Sequence, residues 1–126
     1  MLPCRRGRAG TFAGDGISLD DLRARVREAT GREPLLLCAG PERIRTIGIV
    51  SGSAADTLHE AAAQGLDAFL TGEPREHITA EAQELGVHFV AAGHYATETF
   101  GVRALGDLLA ERFGIEHTFV DLPNPV

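Results

Sequence analysis

From Ser18 onward the chain alternates apolar and polar positions in blocks that switch between helical and strand spacing. Leu19, Leu22, Val26 and Ala29 recur at the helical period, Ser18 can cap the segment, Asp20 and Asp21 fall in its first turn, and Gly31 stops it. A short strand is expected at 34–38, then a loop at 39–45 containing Gly40 and Pro41. The β-branched run 46–50 reads as a strand, and Ser51-Gly52-Ser53 turns it into a helix over Ala54, Ala55, Leu58, Ala61 and Ala62 that ends at Gly65. The unit recurs as strand 67–71, turn Gly72-Glu73, and a helix from Pro74 through Ile78, Ala82 and Leu85 to Gly86, with Pro74 suited to the first helical position. A third round gives strand 87–91, turn Ala92-Gly93, and a helix carrying Phe100, Ala104, Leu105, Leu108, Leu109 and Phe113. Gly101 and Gly106 within that helix cost about 1 kcal/mol each relative to Ala, so packing has to hold it together. A last strand is expected at 115–121, closed by Pro123 and Pro125.

Strands alternating with helices predict an α/β fold with a mainly parallel sheet and flanking helices, because parallel neighbours need crossovers of this length. Residues 1–14 carry three Arg, three Gly and no acid, so 1–15 are expected to form a flexible arm before a single domain at 16–126. In such sheets the carboxyl ends of the strands open toward one edge, where ligands bind. That rule brings together three turns distant in sequence: Ser51, Gly52 and Ser53; Thr71, Gly72, Glu73 and, a helical turn on, His77; and Gly93, His94, Tyr95 and Glu98.

His94 and Glu98 stand four apart at a helix start, with Cβ atoms about 6 Å from each other on one face. A first-row divalent ion accepts imidazole nitrogen and carboxylate oxygen at about 2.0–2.2 Å, so the pair can supply two ligands. It can equally be a His and a Glu that pair on a helix surface. Glu73 and His77 repeat the spacing one unit earlier, either as a second contribution to the cleft or as a helix-start acid and a solvated imidazole. Ser51, Gly52 and Ser53 can cradle a phosphate at a helix start, or form a tight turn with Ser53 as cap. His59, His88 and His117 fit structural positions better than a site.

Composition narrows the function classes. The 126 residues suffice for one domain, hydrophobic residues make up 44% and charged residues 24%, and intrinsic disorder is excluded for most of the length. No apolar run approaches the roughly 18 residues that cross a bilayer. The net charge of −6 argues against nonspecific nucleic-acid binding. All 12 basic residues are Arg, which removes catalytic Lys, Schiff-base and P-loop chemistry. Cys4 and Cys38 form no CxxC pattern, and a reducing cytoplasm is expected.

The run FVAAGHYATETFGVRAL at 89–105, preceded by GLDAFLTGEPREH at 65–77 and IGIVSGSAADTL at 47–58, resembles the C-terminal half of the Nif-three-like proteins with a dinuclear metal centre. Bacterial members are often called GTP cyclohydrolase 1 type 2 homologues. The resemblance spans about residues 16–126 and includes the DLPNP tail. It implies that His94 and Glu98 are metal ligands, with Glu98 bridging, and that Glu73 and His77 line the cavity. It further implies divalent ions (Fe, Mn, Zn or Ni), a toroidal hexamer, and hydrolysis of a nucleotide-like or phosphorylated small molecule. In that family the remaining ligands are an adjacent His pair and an Asp in the N-terminal half. This sequence has no His-His pair, so the expectation is a fragment, a truncated paralogue or half of a split protein, with the missing ligands on another segment or chain. The other expectation is a noncatalytic assembly or binding module of the same fold.

Overall fold

The computed structural model describes residues 7–126. Its elements, in order, are β1 (Arg8–Thr11), α1 (Leu19–Thr30), β2 (Leu35–Leu37), β3 (Thr46–Ile49), a single 3-10 turn (Ala55–Thr57) running into α2 (Leu58–Ala63), β4 (Ala68–Thr71), α3 (Ile78–Leu85), β5 (His88–Ala91) and α4 (His94–Phe113). α1 starts where the pattern places it. Ser18 accepts a hydrogen bond from Asp21 N at 3.1 Å while the Asp21 carboxylate accepts from Ser18 N, so two free N–H groups at the helix start are satisfied reciprocally. Gly31 closes the helix in the left-handed conformation, φ 70°.

The five strands form one sheet in the order β1-β3-β4-β5-β2. β3, β4 and β5 run parallel, with Ile47 opposite Ala68 and Ala68 opposite His88. Every residue of β4 and β5 is buried, because both faces of this central pair are covered. Ala68, Leu70 and Val90 join Leu22 and Val26 of α1 in one apolar cluster. Phe69 and Phe89 point the other way, their ring centroids 6.0 Å apart, and pack with Leu58 of α2 and Ile78 and Ala82 of α3. Each fully buried Leu, Ile or Phe side chain contributes about 1.5–3 kcal/mol, so this double core is the main source of stability.

Four expectations are corrected. The sheet is mixed rather than mainly parallel, because both edge strands are antiparallel: β1 to β3 and β2 to β5. β1 falls within the segment expected to be an arm. All four of its residues are exposed, so main-chain pairing with β3 holds it and no apolar alternation marks it; residues 1–6 lie outside the described residues. Pro74 stands in an irregular link, and α3 begins only at Ile78, after a turn in which Ile78 N donates to Arg75 O at 3.2 Å. Residues 115–121 form no strand among the described residues, and α4 has no buried residue at all.

Candidate metal-binding edge

The carboxyl ends of β3, β4 and β5 open on the same edge, and the three turns that follow them are laced together. Gly52 O accepts from Gly72 N at 2.9 Å, Glu73 N at 3.1 Å and Thr71 Oγ1 at 3.1 Å. Gly93 N donates to Gly72 O at 2.8 Å, which joins the third turn to the second. Thr97 Oγ1 accepts from Gly52 N at 3.0 Å and lies 2.9 Å from Gly93 O, closing the ring of contacts from α4 back to the first turn. The backbone at this edge is thus fixed by main-chain hydrogen bonds and two threonine hydroxyls.

On this frame His94 is the first residue of α4. Its Nδ1 is hydrogen-bonded to Glu73 Oε1, and its Nε2 lies 3.2 Å from Glu98 Oε1, one helical turn along. Carboxylates at both ring nitrogens favour the charged form of the imidazole over the neutral one. Its pKa is accordingly raised, chiefly by the hydrogen bond to Glu73, with partial burial opposing and the Glu98 charge adding. The local backbone makes the room. Gly52 is buried with φ 73°, and a Cβ there would run into Glu98 Oε1 and stand 3.3 Å from His94 Nε2. A Cβ on Gly72 would lie 2.5 Å from Gly52 O and 2.7 Å from the His94 Cα. Two glycines therefore let three turns close on one imidazole.

His94, Glu98 and Glu73 come together as the strand-end rule places them. His77 does not join them: it is exposed, with Nε2 3.5 Å from Asp56 Oδ1 and 4.0 Å from Glu81 Oε1, in a separate surface group where His59 meets Glu81 at 2.8 Å. The Ser51 and Ser53 side chains are exposed, and two neighbouring N–H groups of that turn are already engaged, Gly52 N with Thr97 and Ala54 N with Thr71 Oγ1 at 3.2 Å. Sequence reasoning overlooked Thr97, whose only signal was a hydroxyl three residues after His94 in a helix's first turn, and Arg32. The Arg32 guanidinium occupies the space beside Gly93, where φ is 97°, and donates to Pro125 O at 2.9 Å. Tyr95 adds a second tie to the tail by donating to Asp121 at 2.5 Å and accepting from Leu122 N at 3.1 Å.

The donor set suits a divalent first-row ion in kind, since imidazole nitrogen beside carboxylate oxygen is a borderline-hard pair, and the glycine-lined gap at Gly52 leaves space at both donor atoms. In number it is short: the described residues contain no group of three or more His, Cys, Asp or Glu placed to hold one ion. Tetrahedral or octahedral coordination needs more donors than His94 and Glu98 provide.

The domain belongs to the broad class of α/β folds built on a central run of parallel strands, and its imidazole and carboxylate group stands at their glycine-lined carboxyl edge. More narrowly, the chain belongs to the Duf34/NIF3 (NGG1p interacting factor 3) family, whose profile matches residues 3–125. It is 52% identical over 105 residues to a protein of Pseudomonas aeruginosa named GTP cyclohydrolase 1 type 2 homolog, covering 83% of this chain and 41% of that one. A Deinococcus radiodurans protein of the same name is 42% identical over 118 residues, covering 94% of this chain and 44% of its own length. Among solved structures, one titled "Structural genomics, protein ybgI, unknown function" superposes with a TM-score of 0.90 at 36% identity, covering 96% of this chain and 49% of that one. TTHA1606 from Thermus thermophilus superposes with a TM-score of 0.79 at 34% identity, over 94% of this chain and 45% of that chain. The chain therefore spans less than half the length of these relatives. Among the described residues no helix is long and apolar enough to cross a membrane.

Proposed function

We propose that this chain carries one side of a divalent-metal centre of the kind its family resemblance implies. His94 Nε2 and Glu98 are the ligands, and the remaining donors come from a segment or chain corresponding to the rest of the relatives. The observation that carries this reading is the placement of Glu73. A carboxylate on Nδ1 fixes the imidazole's orientation and raises the basicity of the opposite nitrogen, which is the usual outer-shell support of a metal-ligating histidine. Glu73 is thus a positioning residue, Gly52 keeps the space at Nε2 clear, and Thr97 ties the first turn of α4 to the turn behind it. A divalent ion held by His94 and Glu98 would supply Lewis-acid polarisation and a bound water of lowered pKa, the chemistry that hydrolysis of a phosphorylated or nucleotide-like molecule needs. This chain's own residues orient the ligands through the turns after β3, β4 and β5.

A second reading, a noncatalytic assembly module, is favoured by the exposed apolar face of α4. The resemblance adds a hexameric assembly to either reading, and the two isolated cysteines suit a reducing, cytoplasmic setting. Elemental analysis and titration with Mn, Fe, Zn or Ni separate the two. The metal reading predicts weak binding by the chain alone, lost in His94→Ala, and stoichiometric binding once the complementary segment is present. No metal under either condition, with a stable oligomer, supports the assembly module instead.

A further inference from the structure

Residues 115–126 run back along α4 toward its first turn, touching the helix at points that retreat along it. His117 stands over Gly106, where a Cβ would meet its ring, and its Nδ1 is 3.1 Å from Asp107 Oδ1. The Arg103 guanidinium carbon lies 4.0 Å from the centroid of the Phe119 ring. Asp121 and Leu122 are tied to the Tyr95 hydroxyl, and Val126 O accepts from Tyr95 N at 3.0 Å.

The last of these contacts serves the helix. Gly93, which precedes α4, has no side chain to cap it, so an N–H of the first turn has to find its acceptor elsewhere. Val126 O supplies one. Asn124 Oδ1 accepts from Val126 N at 3.0 Å, a local turn that orients residue 126, and Pro123 and Pro125 fix two φ angles of the segment in advance. Arg32 holds the same place from the end of α1: its Nη1 donates to Pro125 O at 2.9 Å while the guanidinium fills the space beside Gly93. Packing does not fasten this strap. Residues 120–126 are all exposed, and between them, the end of α1 and α4 lies a cleft of about 800 Å3. Hydrogen bonds to Tyr95 and Arg32 hold it, so its release leaves both apolar clusters intact.

We infer that residues 121–126 are an external cap for the first turn of α4, and that Arg32, by clamping them through Pro125 O, is a positioning residue for His94. Glu73 orients the imidazole at Nδ1, and the strap holds the backbone that carries it. The consequence for a bound ion rests on the proposed metal centre; the hold on His94 does not, and it is tested first with a chelator present.

Three variants are compared with the parent: Arg32→Met, which keeps bulk beside Gly93 and loses the donor; Arg32→Lys, which keeps a donor; and a chain without residues 121–126. In Arg32→Met and the shortened chain, hydrogen exchange of the Tyr95 amide accelerates about 5-fold or more, as loss of a helix cap brings. The His94 ring resonances shift with it, while those of His88 and the unfolding midpoint hold. Arg32→Lys stays with the parent. Unmoved Tyr95 exchange and His94 resonances overturn the inference, and so does a loss of protection spread evenly over the sheet, which would make the strap a general stabiliser. A second arm titrates manganese in the presence of the part of the Pseudomonas aeruginosa relative that lies outside the 105-residue match. There Arg32→Met weakens binding about 5- to 10-fold and Arg32→Lys restores it. Parent-like affinity in Arg32→Met overturns the positioning role. A parent that takes up no manganese defeats the metal centre instead, and the exchange measurement still decides the strap.

Discussion

The two ends of β5 each carry a histidine, and they differ in everything but the side chain. At the amino end His88 is 5% exposed and fully occupied by backbone: Ala39 N and Gly40 N both donate to its Nδ1 at 3.2 Å, and its Nε2–H donates to Pro41 O at 2.8 Å. Two N–H donors on one nitrogen place the proton on the other, so neither nitrogen is left for a ligand. At the carboxyl end His94 is held by carboxylates that themselves have further acceptor capacity, with a glycine keeping space at Nε2. Both ends rely on glycine for close approach. A Cβ on Gly40 would come within 2.6 Å of Asp67 O and 2.5 Å of the His88 ring. One histidine staples a loop to the sheet and the other is presented, and what separates them is whether backbone or side chains supply the partners.

That contrast breaks most sharply at its structural end. Replacing His88 with Ala leaves two part-buried N–H groups and a carbonyl without this partner, as well as a cavity, and should cost about 2–4 kcal/mol in urea unfolding while leaving metal uptake by the folded fraction unchanged. At the other end, Gly72→Ala forces a Cβ against backbone of both neighbouring turns and should cost about 1–3 kcal/mol, with metal uptake lost even where the protein stays folded. Glu73→Gln keeps the size and removes the charge that orients His94. It should weaken metal binding about 10- to 100-fold by calorimetric titration with little change in stability.

A smaller effect concerns the amino edge alone. Asp67, just before β4, accepts from Arg45 N at 2.8 Å, Thr46 N at 2.9 Å and Thr46 Oγ1 at 3.1 Å. Burial pushes its pKa up, but these hydrogen bonds together outweigh it and hold the carboxyl below its ordinary range. A depressed native pKa means stability that is present above the unfolded value of about 3.9 and lost as the pH falls through the native one. Acid unfolding of Asp67→Asn should therefore show a shallower dependence on pH below about 4 than the parent chain does. Smallest of all, His77→Ala, in the exposed group with Asp56 and Glu81, should change stability by no more than about 0.5 kcal/mol and metal uptake not at all.

Much of this was legible in the residues, and the failures have physical causes. α1, β3, β4 and β5 follow from apolar period and glycine stops, and the strand-end rule puts Glu73, His94 and Glu98 at one edge. β1 escaped because its residues are all exposed and only main-chain pairing defines it. The antiparallel direction of β2 escaped because three residues of leucine carry no information about orientation. His77 shares the four-residue spacing of His94 with Glu98, yet the irregular link through Pro74 delays α3 and leaves it beside Asp56 instead. Spacing along a helix names candidate pairs, and only the turns that precede the helix decide which pair meets a cleft. The apolar residues of α4 and of 115–121 predict burial that the described residues do not provide.

Ligation by His94 is tested most directly by one titration: manganese or zinc added to the metal-free chain together with the complementary segment, run in parallel on the parent, His94→Ala and His77→Ala. The prediction is saturable binding in the parent and in His77→Ala, and none at the same concentrations in His94→Ala with its unfolding midpoint preserved. Undiminished binding in a folded His94→Ala protein would contradict it.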